Sequence, residues 1–229
     1  APEHIKAKSV AIVIAMGVVG GIIGPETVLL TKNTIGALPF EGTFWALGVF
    51  CLLSAVIILG VDIPKLTKKE YSNTGRPLSK IMLNHTFIVA LIAALFGYAV
   101  MNLLMTATPV TMRSETFTDN NITRVIQWHV IGMFAPGFFT GSLIKYFGVV
   151  RIIVVGSFLL LISVCVALSG DSITHFFITL FCIGVGWNFT FTGGTLLITE
   201  VHSPSERAKV QGVNDFILFT GLALSSLFA

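Results

Sequence analysis

Charge is what this chain has least of. Only 11% of its 229 residues are Asp, Glu, Lys or Arg, against about a quarter in an ordinary soluble domain. A surface that poor in charge does not keep a chain of this length in water, so soluble folds are excluded. Cysteine is scarce as well. Cys51, Cys165 and Cys182 fall inside apolar runs, at no metal or redox spacing, so inert buried thiols are expected and no metal site. There is no His-Glu-x-x-His, no pair of carboxylates at catalytic spacing and no nucleophile elbow, which leaves an intramembrane enzyme without support. No catalytic residue and no cofactor are expected. No basic stripe interleaved with aromatics is present, and nucleic acid is not an expected partner.

What is present is hydrocarbon. The chain is 54% hydrophobic with a mean hydropathy of +0.89, and its apolar residues fall in long runs. Seven candidate spans follow one another: 10–30, 43–61, 87–110, 125–143, 152–168, 176–198 and 213–229. A spanning helix needs about 20 residues. The first run is too long for a signal-peptide core and holds Pro25 and Glu26, so it is read as a span. The seventh run is uninterrupted only from Phe216, 14 residues, too short to cross, and the sequence is expected to end inside a helix. The fold class expected is therefore all-α, a polytopic membrane helix bundle, with the lipid bilayer as its first partner.

The basic residues alternate from side to side. Lys6, Lys8, Lys65, Lys68, Lys69, Arg76, Lys80, Lys145, Arg151, Arg207 and Lys209 fall on one side, and Lys32, Arg113 and Arg124 on the other. The positive-inside rule then puts the N-terminus of this chain in the cytoplasm of a bacterial-type inner membrane. The same alternation supports the span count. Residues 62–84 read as a cytoplasmic linker between helical groups at 1–61 and 85–229.

Polar groups inside the spans are expensive in hydrocarbon and should face protein or water. Spans two and five carry no ionisable residue and read as lipid-facing supports. Span three holds Asn102 and Thr106, and span four holds Gln127, Trp128 and His129. Span six holds Trp187, Asn188 and Thr192, with Asn188, Thr192 and Thr195 on one helical face. These residues are the candidate lining of a substrate cavity, although Asn and Thr bonds between helices are a common alternative. Glu26, His129 and Asp215 are the candidate protonatable groups. His129 fits a helix contact as well as a proton carrier, and Asp215 fits a helix N-terminal cap.

The stretch Gly20-Gly-Ile-Ile-Gly24-Pro25-Glu26 combines small residues, which let helices approach closely, with a proline that can bend the helix. Gly20, Gly24 and Pro25 are the hinge and packing candidates. Gly20-x-x-x-Gly24-Pro25 resembles the core of the fifth-helix motif of major facilitator superfamily antiporters, with Val28 and Leu29 where the family has a glycine pair. Gly141, Leu143, Gly148 and Arg151 resemble the family's cytoplasmic gating loop, with Lys145 in place of an aspartate. The resemblance implies that spans one to seven are the family's fifth to eleventh helices. Residues 62–84 would then be the central loop between two six-helix halves, and the sequence part of a transporter of about twelve helices. It further implies alternating-access secondary transport of a small organic solute, with proton-coupled export. The mostly neutral, polar and aromatic cavity set favours a neutral or amphipathic solute. A seven-span receptor-like or accessory subunit is the alternative.

Overall fold

The computed structural model describes residues 3–35, 38–61 and 75–228, with side chains from residue 15 onward. The side chains of Lys6 and Lys8, and most of the expected central loop, residues 62–74, lie outside these bounds. Among the described residues nine helices follow one another without a strand. They are α1 (Glu3–Thr31), α2 (Glu41–Leu59), α3 (Leu78–Met82), α4 (His85–Ser114), α5 (Asp119–Phe134), α6 (Gly137–Phe147), α7 (Val149–Ser169), α8 (Ile173–Val201) and α9 (Arg207–Ser226). Helices α2, α4, α7 and α8, and α5 with α6 as one pass, are long and apolar enough to cross a membrane. Helices α1, apolar over Ala15–Thr31, and α9 cover the other two expected spans, so each of the seven is helical.

Two helices start ahead of their apolar runs where a side-chain cap sets the first turn. Helix α4 begins at His85 because Asn84 Oδ1 accepts the Thr86 backbone N–H at 2.8 Å. Helix α5 begins at Asp119, six residues before the apolar run, where Thr118 Oγ1 accepts from the Asn121 N–H at 3.3 Å. The fourth span is interrupted, which the expected range 125–143 did not show. Ala135 and Pro136 keep helical backbone angles (φ −60° at both), but Pro136 has no N–H to continue the ladder. The chain therefore kinks between α5 and α6 while keeping its direction.

Helix α8 is the hub, packed against α4, α5, α6 and α7. Lipid tails are as apolar as leucine, so burial alone does not drive these helices together; close approach does. Glycines supply it. A Cβ on Gly184 would meet the His129 carbonyl of α5 at 2.6 Å, and one on Gly132 would meet the Phe181 carbonyl at 2.8 Å. Gly156 of α7 and Gly186 of α8 face each other, each 2.9 Å from the other's carbonyl if given a Cβ. Gly194 approaches the Ala90 carbonyl of α4 in the same way. Across the α7–α8 contact the buried Ser163 hydroxyl donates to the Thr179 carbonyl at 3.0 Å.

Helix α2 is the opposite case. Gly42 is its one buried residue, while Phe44, Trp45, Leu52 and Ile57 stand exposed. With no ionisable group past its first turn, this surface suits hydrocarbon. Helix α7, the other charge-poor span, exposes one face and buries Ile152, Gly156, Leu160 and Ser163 on the other.

Gly184→Leu is expected to destabilise the bundle by about 1–3 kcal/mol, the usual cost of overpacking. Gly212→Leu, where nothing lies within 4 Å of an added Cβ, should leave the melting temperature in detergent unchanged.

Candidate functional site: a polar seam and an aromatic wall

The polar groups of the spans gather in four places. The first is the seam between α1 and α5. Gln127 Nε2 donates to Glu26 Oε1 at 2.9 Å and to the Ile22 carbonyl at 3.3 Å. Farther along, Lys32 pairs with Asp119, and Arg113 of α4 reaches the same carboxylate at 3.8 Å. The Arg113 guanidinium also lies over the Phe40 ring, 5.9 Å from its centre. Beside these groups is a cavity of about 300 Å³ lined by Pro25 and Val28 of α1, Lys32 just past its end, Pro109 and Arg113 of α4, and Asp119 of α5. Two helix-interior prolines, Pro25 and Pro109, therefore line one cavity.

Close packing on this seam falls to other glycines than the motif's. Gly17 and Gly21 face Phe134 and Val130 of α5. Gly20 and Gly24 have no described atom within 4 Å of an added Cβ. The packing assigned to Gly20 and Gly24 from the sequence thus belongs, among the described residues, to Gly17 and Gly21, on the adjoining stripe of the same helix.

The second place is an aromatic wall between α4, α8 and α9. Trp187 and Phe191, one turn apart on α8, stack with ring centres 4.9 Å apart and planes 9° apart. Tyr98 of α4 turns its edge to both, at 5.4 and 5.5 Å. Tyr98, Phe191 and Asp215 line a cavity of about 110 Å³ with Leu218, Phe219 and Leu222 of α9. Asn102, one turn along α4 from Tyr98, donates to the hydroxyls of Ser225 and Ser226 at 2.9 and 2.8 Å and fastens α4 to α9. Thr106 bonds back to the Asn102 carbonyl of its own helix.

The third place is the kink. Asn188, 6% exposed, donates to the Met133 carbonyl at 2.7 Å and accepts from the Thr140 hydroxyl at 2.7 Å. Pro136 has no N–H for the Gly132 carbonyl, and the Asn188 amide satisfies the next carbonyl, that of Met133, in the same interrupted turn. The structure therefore removes Asn188 from the open cavity lining: both ends of its amide are spent on α5 and α6. The expected polar face of α8 divides, with Asn188 buried, Thr192 half-buried and Thr195 exposed. Trp128 is also placed apart from the wall. It is 50% exposed and packs edge-on to Phe181, beside Phe177 and Cys182 on the bundle's outside. His129 is 1% exposed, with Nδ1 on the Leu180 carbonyl at 2.8 Å, in keeping with the helix-contact alternative.

The fourth place is a clasp at the opposite end of the bundle from Lys32. Glu206, 2% exposed, accepts from the Arg76 backbone N–H at 2.6 Å, from Arg76 Nε at 2.9 Å and Nη2 at 2.8 Å, and from the Ser203 N–H at 2.9 Å. Arg76 Nη2 also caps the Val201 carbonyl at 2.7 Å. The neighbouring Gly75 adopts φ +62°, a conformation side chains disfavour, and lies against Glu206. The Arg76 side chain, followed by the surrounding N–H groups, holds the Glu206 carboxyl far below its ordinary 4.5. At this end Gly148 turns the chain between α6 and α7 at φ +88°. Leu143 packs beside Ile144 and Ile152, and Gly141, Lys145 and Arg151 stand exposed. Lys32, Asp119, Arg76, Glu206, Thr140, Tyr98 and Phe191 were not among the sequence candidates, because each gains its role from a partner far away in the chain.

A bundle of apolar helices whose polar groups are confined to a seam, a wall, a kink and a terminal clasp is an integral, multi-pass membrane protein. The chain belongs to the Major Facilitator Superfamily, which it matches over residues 1–226. It is 40% identical, along its whole length, to the riboflavin transporter RfnT of Brucella anthropi, covering 58% of that protein. It is 26% and 29% identical to the uncharacterized MFS-type transporters YddS and YdeG of Bacillus subtilis, covering 54% and 53% of them. The chain thus spans just over half the length of these relatives. No solved structure matches it significantly.

A depressed carboxyl contributes stability that is complete above its ordinary value and is lost as pH falls through the folded value. Glu206→Gln should therefore lower the melting temperature in detergent at pH 7. The gap to wild type should stay constant down to about pH 5 and narrow only in stronger acid. A gap that closes between pH 8 and 6 would contradict the clasp.

Proposed function

We propose that the complete protein is a secondary transporter that moves a small neutral or amphipathic organic solute by alternating access, coupled to protons. Riboflavin is the first solute to test, because the 40% identical relative is named for it. The observation that carries the reading is the seam. In this reading α1 and α2 close one six-helix half, and α4 to α9 belong to the other. The Glu26–Gln127 bond and the Lys32–Asp119 pair then join the two halves at their outer end, as the positive-inside count orients them. Bonds across a repeat interface, beside a cavity and two prolines, are the parts that a rocking motion needs.

Glu26 is the coupling group this arrangement favours. Its side chain is exposed, and its partner lies on the other side of the seam. Protonation replaces a charge-assisted acceptor with a neutral one and so weakens the Gln127 bond. His129 lies sealed between α5 and α8, with Nε2 free of any described partner. Glu206 stays ionised across physiological pH and exchanges no proton there. Export is the direction that the Gly20–Pro25 motif implies.

The test uses the complete protein in proteoliposomes with riboflavin and an imposed pH gradient. Wild type should move riboflavin faster with the gradient than without it, and the sign of net movement reads the direction. Glu26→Gln should abolish the gradient's effect while riboflavin exchange at equal pH persists. Transport by wild type that ignores the gradient overturns proton coupling. No movement of riboflavin under any gradient removes it as the solute.

A further inference from the structure

The aromatic wall has more order than packing requires. Trp187 is 7% exposed and stands behind Phe191 in a parallel stack, so Phe191 reaches the cavity with its plane already fixed. Tyr98 blocks sideways movement by standing edge-on to both rings. Across the cavity, on α9, Asp215 is exposed, and among the described residues its Oδ1 accepts from its neighbour Asn214, at 3.1 Å, while its Oδ2 has no partner there. The cavity lining holds this one carboxyl and no Lys or Arg. The Trp187 indole N–H is buried with no partner among the described residues.

We propose that Tyr98, Trp187 and Phe191 form a stacking platform for an uncharged planar nitrogen heterocycle, with Asp215 accepting the ring's N–H edge. The inference deepens the transporter reading and rests on it. A flat ring adds itself to the existing stack on Phe191, where every π-face gains and little side-chain freedom remains to be lost. The carboxyl opposite selects rings with a donor edge. With no cation nearby, it also disfavours a phosphorylated ring, whose charge would face another of the same sign. The ring, and not any sugar-like chain attached to it, is the part this wall recognises. The 110 Å³ cavity is this chain's portion of the site.

The experiment titrates the complete protein, purified in detergent, with riboflavin and follows quenching of flavin fluorescence, which stacking on an aromatic ring produces. Competitors separate the parts of the ligand: lumichrome carries the ring alone, ribitol the chain alone, and flavin mononucleotide adds a phosphate. Lumichrome should compete, ribitol should not, and the mononucleotide should bind at least ten-fold more weakly than riboflavin. Phe191→Leu should weaken ring binding ten-fold or more, and Phe191→Tyr, which restores a flat face, should recover most of it. Asp215→Asn should narrow the gap between riboflavin and its phosphate. Competition by ribitol equal to that by lumichrome overturns the proposal. So does unchanged ring affinity in Phe191→Leu, or no ring binding by wild type. If riboflavin crosses proteoliposomes while Phe191→Leu binds normally, the site fails and the transporter reading stands. If the ring binds as described but nothing is transported, the reverse holds.

Discussion

Close approach of helix backbones in a medium without water is the constraint on which this structure depends. Inside hydrocarbon an unpaired N–H or C=O costs several kcal/mol, and apolar side chains gain little by meeting each other instead of lipid. Stability then comes from dispersion between surfaces that fit and from bonds between the few polar groups. Helix α8 meets both demands. Its glycines bring α4, α5 and α7 to within touching distance of its backbone, and its Asn188 donates to the Met133 carbonyl in the turn that Pro136 interrupts.

The rigid hub makes the seam between α1 and α5 informative by contrast. Helix α1 packs on α5 through Gly17 and Gly21, but its bonds there are few: one amide to a carboxyl, one amide to a carbonyl and one ion pair. Ion pairs of this exposure are worth little each, so such a seam can part without unfolding either side. The clasp at the other end is of a different kind. Glu206 satisfies four N–H donors while almost wholly buried, and it ties Arg76, just ahead of α3, to the α8–α9 turn. One contact is suited to opening and the other to holding, and they lie at opposite ends of the bundle.

The architecture was legible in the sequence because bilayer thickness and charge placement act locally. Seven apolar runs became helical, five of them long and apolar enough to cross a membrane, whereas the interruption at Pro136 lay inside a run read as one unbroken span. The side-chain partners were less legible, for a geometric reason. A helical face can be read from spacing, but the neighbour that covers it cannot. Asn188 and Thr192 share the face their spacing gives, yet α5 and α6 cover one and leave the other half open. Gly20 and Gly24 carry the motif, but the glycines at Gly17 and Gly21 meet α5. Trp187 stood out as a ring far from the membrane interface. Its companions Tyr98 and Phe191 did not, since aromatic residues are common in every span.

The central claim is that the α1–α5 seam opens and closes during transport. Its most direct test joins the seam covalently: Lys32→Cys and Asp119→Cys in a cysteine-free version of the complete protein, assayed for solute movement before and after oxidation. The account predicts ready disulfide formation, loss of transport on oxidation and recovery on reduction. Oxidised protein that transports at the unoxidised rate would contradict it, because a seam locked shut could not then be part of the cycle.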